Sequence, residues 1–136
     1  MEGGNSMSQL KPGVKGEASV TVNQSNTASA YGSGAVSVFA TPAMIGLMEK
    51  AALSSVAPLL EGGMTTVGTR VDVQHLAATP MGMNVRALSE LIEVEGRRLF
   101  FQVEAWDEAE LVGKGTHERY IVSEINFLER ATGKKK

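Results

Sequence analysis

This sequence predicts an α+β fold in which a curved antiparallel sheet wraps around one long buried helix. Three observations lead there. The run from Thr41 to about Ala57 reads as a helix with almost no polar face. One strand-like segment precedes it, and four more follow it, separated by short turns. A lone small sheet would leave one side of so apolar a helix in water, so the same pattern predicts a homodimer that completes its burial.

Each element has a local reason. Ala18, Val20 and Val22 alternate with Glu17, Ser19 and Thr21, the period of a half-buried strand. Asn23 to Gly34 is dominated by turn formers and reads as an irregular loop in which only Tyr31 offers bulk. Thr41-Pro42 reads as a helix start, because a threonine hydroxyl can accept from free backbone N–H groups and proline is tolerated in the first turn. Ala43, Met44, Ile45, Leu47, Met48, Ala51, Ala52, Leu53, Val56 and Ala57 make the helix apolar all round, and Pro58 stands near its end. After Glu61-Gly62-Gly63, strand character returns over about Thr65 to Leu76, Asn84 to Val94, Arg98 to Asp107 and Leu111 to Ser123. Thr79-Pro80-Met81-Gly82, Glu95-Gly96 and Asp107-Glu108 supply the turns between them. A helix enclosed by such a run of strands is the hot-dog arrangement.

At 136 residues the chain suits a single domain, since two cores would each lack apolar surface. We place that domain at 15–128, between a flexible N-terminal tail, 1–14, and a flexible basic C-terminal tail, 129–136, ending in Lys134 to Lys136. Hydrophobic residues make up 43% and charged residues 21%, a composition that supports a packed core rather than disorder. A net charge of -2 argues against nucleic acid as a partner, because phosphate-binding surfaces concentrate basic residues. With no cysteine, thiolate zinc sites, disulfides and cysteine nucleophiles are excluded. No run approaches the roughly 18 apolar residues of a membrane span, and the first residues lack a secretory signal pattern. The expected setting is cytoplasmic, with no membrane partner.

Two ionisable residues do not suit their surroundings. Glu49 has Ile45, Ala52 and Val56 at minus four, plus three and plus seven, so its carboxylate lies on an apolar stripe. A charge there costs stability unless it is paired or neutralised. Either it bonds a backbone group at a groove or dimer contact, or its burial tunes a functional carboxylate. In the strand from Thr65, alternation sets Val67, Thr69, Val71, Val73 and His75 on one face, with Gly68, Arg70, Asp72 and Gln74 on the other. His75 thus ends an inward-facing row, as a hydrogen-bonded core histidine or as a proton carrier near the helix. Thr41 caps the helix in one reading and touches substrate in the other. It precedes Glu49 by eight residues, roughly 12 Å along a helix, so the two side chains flank one ligand or meet across a dimer. His75 and His117 fall on different strands without a ligand cluster, so no metal is expected.

Longer motifs carry a resemblance. Val38-Phe39-Ala40-Thr41-Pro42-Ala43-Met44-Ile45-Gly46-Leu47-Met48-Glu49, then Thr66-Val67-Gly68-Thr69, His75-Leu76-Ala77-Ala78-Thr79-Pro80, Glu95-Gly96-Arg97-Arg98-Leu99 and Gly115-Thr116-His117-Glu118-Arg119 closely resemble the fluoroacetyl-CoA thioesterase family of hot-dog proteins. The similarity runs from Val38 to Val122 in the same order and at similar spacings. It implies a homodimer, with higher homo-oligomers open, that hydrolyses an acyl-CoA thioester. The family's catalytic threonine, glutamate and histidine fall on Thr41, Glu49 and His75, and its substrate-binding glycine and arginine on Gly68 and Arg119. No cofactor is implied beyond the CoA of the substrate. The fluoroacetyl-specific enzyme has a proline- and aromatic-rich lid between its first strand and the helix. This chain has the small, polar Asn23 to Gly34 there, so the reaction class carries over and fluoroacetate selectivity does not.

The expected chemistry has Glu49 attack the thioester carbonyl or activate a water. Backbone N–H groups near Gly68 or the helix start would hold the oxyanion, with Thr41 and His75 in support. Arg70, Lys114 and Arg97 are candidates for the CoA phosphates on charge alone. The alternative is a non-catalytic acyl-CoA binding or sensing module of the same fold. An enoyl hydratase would need an aspartate-histidine motif that the sequence lacks, and a pure scaffold gains nothing from charges on apolar faces.

Overall fold

The computed structural model describes residues 9–135. Among them five strands form one antiparallel sheet: β1 (Lys15–Thr21), β2 (Met64–His75), β3 (Asn84–Glu95), β4 (Arg98–Asp107) and β5 (Leu111–Ser123). Their order is β1-β3-β4-β5-β2, which leaves β1 and β2 at the edges. Helix α1 (Ala28–Tyr31) and the long helix α2 (Thr41–Val56) lie between β1 and β2, and α3 (Glu124–Thr132) follows β5. A 3-10 turn over Ala57–Leu59 ends α2 at Pro58, which cannot continue the helical ladder.

The sheet curls over α2, which packs chiefly against β1 and β3. Met44, Leu47, Met48, Ala51, Ala52 and Val56 form the buried stripe of the helix. They meet the inward rows Val85, Ala87 and Leu91 of β3 and Leu99, Phe101, Val103 and Ala105 of β4. Two glycines of β5 permit close approach, one to the helix and one to the neighbouring strand β2. Gly113 leaves room for the Met44 and Met48 side chains, and Gly115 leaves room for the backbone of Asp72 and Val73. The other face of α2 is not covered within one chain: Pro42, Gly46, Lys50 and Ser54 are exposed.

Three local expectations are corrected. The segment Asn23–Gly34 contains α1, one helical turn capped by Thr27, whose Oγ1 accepts from Ala30 N at 3.3 Å. Gly32 closes that turn in the left-handed region at φ 70°, a conformation that costs glycine little. In the expected N-terminal tail, Met1 to Ser8 lie outside the described residues, but Leu10 is buried and Gly13 N donates to Leu91 O at 2.8 Å. At the other end α3 crosses residue 128. Ser123 caps it by accepting from Asn126 N at 3.3 Å, and Glu124 N donates to Gly63 O at 2.9 Å.

The segment before α2 is pinned by backbone bonds. Ala28 N donates to Val38 O at 2.8 Å, Ala40 N to Asn26 O at 2.9 Å and Phe39 N to Thr79 O at 2.9 Å. Thr79, fully buried, donates its hydroxyl to Asp107 Oδ2 at 2.9 Å. These bonds bring the start of the helix against the turn that follows β2.

Candidate active site

Thr41 does not cap its helix. The N-cap is Ala40, which makes no side-chain bond to the first turn. The Thr41 hydroxyl instead lies 2.7 Å from His75 Nδ1. The capping expectation fails because Ala40 is the last extended residue and Thr41 is already the first helical one, so its hydroxyl is not in the capping position and meets His75 instead. His75 Nε2 is buried and has no hydrogen-bond partner among the described residues. Burial lowers the proton affinity of His75, opposed by the Ala77 backbone, so the ring is neutral near pH 7.

The expected face of β2 is also corrected. A bulge places Gly68 opposite Arg119 and Arg70 opposite Glu118, which leaves Thr69 as an extra residue. One inserted residue reverses the side-chain phase. Thr66 and Gly68 therefore point to the concave side before the bulge, and Val73 and His75 after it. Without the bulge, Gly68 and His75 would sit on opposite faces. Thr69 is tied to the outer face, its hydroxyl donating to Glu118 Oε2 at 2.7 Å, while Arg98 Nη2 reaches the same carboxylate at 3.3 Å from Oε1. Those bonds, with Arg70 nearby, hold the Glu118 carboxyl below its ordinary range.

Glu49 is half-buried on α2, and its Oε2 is 3.9 Å from Arg119 Nη1. The apolar stripe therefore carries a charge because a counter-charge faces it from β5. Arg119 is only 5% exposed and is held by Thr66: Nε donates to Oγ1 at 2.7 Å and Nη2 to the backbone O at 2.9 Å. Its Nη1 lies 3.1 Å from His117 Nε2. Burial lowers the Arg119 pKa and Glu49 raises it, yet a guanidinium remains protonated. Gly68 completes this group, since a methyl group there would stand 2.7 Å from Glu49 Oε2.

One chain thus forms two clusters. Thr41 and His75 meet near the first turn of α2, and Glu49, Gly68, Arg119 and His117 meet about two turns further on. His117 was missed as a site residue by the sequence reading. Period-two alternation held the signal, because a strand that turns Arg119 toward the site turns His117 the same way. Of the cations proposed for CoA phosphates, Arg70 is exposed, with Nη2 4.0 Å from Asp72 Oδ2. Among the described residues no three His, Asp or Glu side chains are placed to hold a metal, and no helix is long and apolar enough to cross a membrane.

Residues 22–125 match the family model described as FlK, fluoroacetyl-CoA-specific thioesterase. A fluoroacetyl-CoA thioesterase of Streptantibioticus cattleyicolor is 49% identical over 85 residues, which span 62% of this chain and 61% of that relative. A solved structure of a threonine-to-serine variant of fluoroacetyl-CoA FlK in complex with acetyl-CoA is 35% identical, with a TM-score of 0.86. That similarity covers 93% of this chain and 100% of the other. A hypothetical protein of Thermus thermophilus, described as a thioesterase superfamily member, is 31% identical over 90% of this chain and 93% of its own, at a TM-score of 0.81. The curled sheet around α2 is accordingly the hot-dog fold of thioesterases, and the chain belongs to the fluoroacetyl-CoA-specific thioesterase family.

Proposed function

We propose that this protein hydrolyses a small acyl-CoA thioester to the free acid and CoA. The observation that carries the reading is Glu49, a carboxylate on a largely apolar helix, 3.9 Å from the buried Arg119 guanidinium and filling the space that the missing side chain of Gly68 leaves. The family relationship supports the reaction class, and the substrates named for the relatives point to an acyl-CoA.

In this mechanism the acyl carbonyl lies beside Glu49. Its oxygen takes hydrogen bonds from backbone N–H groups at the bulge or in the first turn of α2, where helix geometry leaves donors without intrahelical partners. The Glu49 carboxylate attacks the carbonyl carbon and CoA leaves as thiolate; water then cleaves the mixed anhydride, giving the acid and regenerating Glu49. In the second route Glu49 takes a proton from water, the hydroxide attacks, and CoA leaves as thiol with that proton. Both routes yield one acid and one CoA. Thr41 hydrogen-bonds the acyl group, and His75 orients the Thr41 hydroxyl and carries protons. Gly68 and Arg119 contact the substrate.

The working unit in this reading is a cytoplasmic homodimer. Thr41 and Glu49 are eight residues apart on one helix, about 12 Å, which is too far for both to reach one carbonyl from the same chain. A partner whose helix runs the opposite way brings Thr41 and His75 of one chain toward Glu49 and Arg119 of the other. The exposed face of α2 and the free edge of β2 support such pairing.

The test is thiol release from short, branched, aromatic and halogenated acyl-CoAs by wild type, Glu49→Ala and His75→Ala. A loss of several orders of magnitude in Glu49→Ala, with the fold intact, supports hydrolysis. Tight acyl-CoA binding without turnover by wild type replaces it with the binding-module reading.

A further inference from the structure

The proposed mechanism leaves one buried group without a task. His117 is 3% exposed. Its Nδ1 lies 2.8 Å from Arg70 O, and a carbonyl can only accept, so Nδ1 carries the proton. Its Nε2 lies 3.1 Å from Arg119 Nη1, and a guanidinium can only donate, so Nε2 carries the lone pair. Only the neutral Nδ1–H tautomer satisfies both contacts. A protonated ring would turn an N–H toward the N–H of a cation.

Arg119 depends on that lone pair. Thr66 accepts from Nε and Nη2, and His117 is the acceptor for Nη1, the nitrogen that faces Glu49. Without it, the Nη1 side of the guanidinium has the Glu49 carboxylate at 3.9 Å, beyond hydrogen-bond reach. We propose that His117 is a positioning residue: as the neutral Nδ1–H tautomer it fixes Arg119 in the orientation that faces Glu49, and protonation of its ring releases that orientation. The inference rests on the reading of Glu49 as the reacting carboxylate.

The groups around the ring are known from each packed element. Arg119 and Glu118 lie on its own strand, Glu49 faces it from α2, and Arg70 presents its carbonyl from β2. Glu93 of β3 lines the same small cleft, and β4 contributes the Phe101 ring with centroids 6.2 Å apart. Burial, with Arg119, lowers the proton affinity of His117, while the Arg70 carbonyl, Glu49 and Glu118 oppose it; the net shift is downward. The switch therefore operates on the acid side of neutrality.

The chain has two histidines, so imidazole 15N NMR can follow both rings, and His117→Gln assigns one by deletion. The tested protein is the full chain, with acetyl-CoA as the probe for thiol release. Gln places an acceptor near the Nε2 position, whereas Asn keeps a donor for Arg70 O but does not reach Arg119. The expected results are an Nδ1–H ring at neutral pH and a ring protonation midpoint that coincides with an acid fall in kcat/KM. His117→Gln should keep kcat/KM near wild type while moving that fall to lower pH, and His117→Asn should lower it on the order of 10-fold. An Nε2–H ring at neutral pH, an acid fall unmoved in His117→Gln, or equal Asn and Gln variants would overturn the inference. If acetyl-CoA is not turned over, or His117→Gln does not fold, the wild-type tautomer still decides it. Unaltered turnover in Glu49→Ala would instead defeat the underlying reading of Glu49.

Discussion

Gly68 and Glu49 face each other across the concave side of the sheet, so closely that a methyl group on Gly68 would stand 2.7 Å from Glu49 Oε2 and 3.2 Å from His117 Cε1. The carboxylate occupies the space that a side chain at position 68 would fill. This contact links the bulge in β2 to the Glu49 carboxylate on α2.

Gly68→Ala should therefore impair turnover more than stability. The nearest neighbour is the end of a flexible, half-exposed side chain, so strain of about 1 kcal/mol is expected as Glu49 swings aside. Thiol release should fall on the order of 100-fold because the carboxylate is displaced from Arg119. Thermal unfolding beside kinetics checks it, and a large loss of Tm with turnover retained would contradict the contact.

Thr41 offers a sharp contrast between capping and chemistry. Because Ala40 is the N-cap, Thr41→Val should not show the roughly 1 kcal/mol loss typical of a removed cap. It should lower thiol release by breaking the bond to His75, and Thr41→Ser should restore part of it. Denaturant midpoints and kinetics on the two variants separate these effects.

Removing the Glu49 charge should leave Arg119 as a buried cation without its counter-ion. The pair is 3.9 Å apart and Glu49 is half-exposed, which places the cost between that of a surface and a buried ion pair, about 1–2 kcal/mol. Glu49→Gln should thus lose a little stability and most turnover. Urea unfolding would reveal an unchanged or raised midpoint if the pair contributed nothing.

Acid should weaken the fold through its histidines. Both His75 and His117 have pKa values lowered from 6.5, chiefly by burial. Below pH 6.5 the unfolded chain binds more protons than the native one, so this stability is present above 6.5 and is lost as pH falls toward the lowered folded values. Tm should decline from pH 7 to 5, and less steeply in His117→Gln. A parallel decline in both proteins would remove His117 from the account.

Gly115→Ala should be the more costly of two glycine substitutions on β5. At Gly115 the added carbon meets the backbone of Asp72 and Val73, which cannot move without breaking the β2–β5 ladder, whereas at Gly113 it meets methionine side chains that can rotate. A loss of about 2–3 kcal/mol is expected for Gly115→Ala and less for Gly113→Ala, read from denaturant midpoints.

Much of this architecture was legible in local sequence. Pro42 and Pro58 bracket an apolar run, and the observed helix, Thr41–Val56, lies between Ala40 and the 3-10 turn at Ala57. The four later strands begin and end within one residue of their expected bounds, because alternation and turn formers are properties of neighbouring residues. The four-residue helix α1 and the helix α3 were not read. The first is stabilised by bonds between the loop and the segment before α2. In the second, the large apolar side chains Ile125 and Leu128 remain 68% and 64% exposed.

Sequence alone determined the class of the fold, the family, and the fact that Glu49 and His75 stand where charge or polarity is costly. Tertiary structure alone decided their partners. The bulge at Thr69 turned Gly68 inward, a helix start one residue earlier left Thr41 inside the first turn against His75, and alternation on β5 set His117 and Arg119 before Glu49. Local patterns report which face a residue takes, since that follows from the period of its own segment. Which side chain meets it there depends on register between strands far apart in the chain, and a single inserted residue in one strand changes that register.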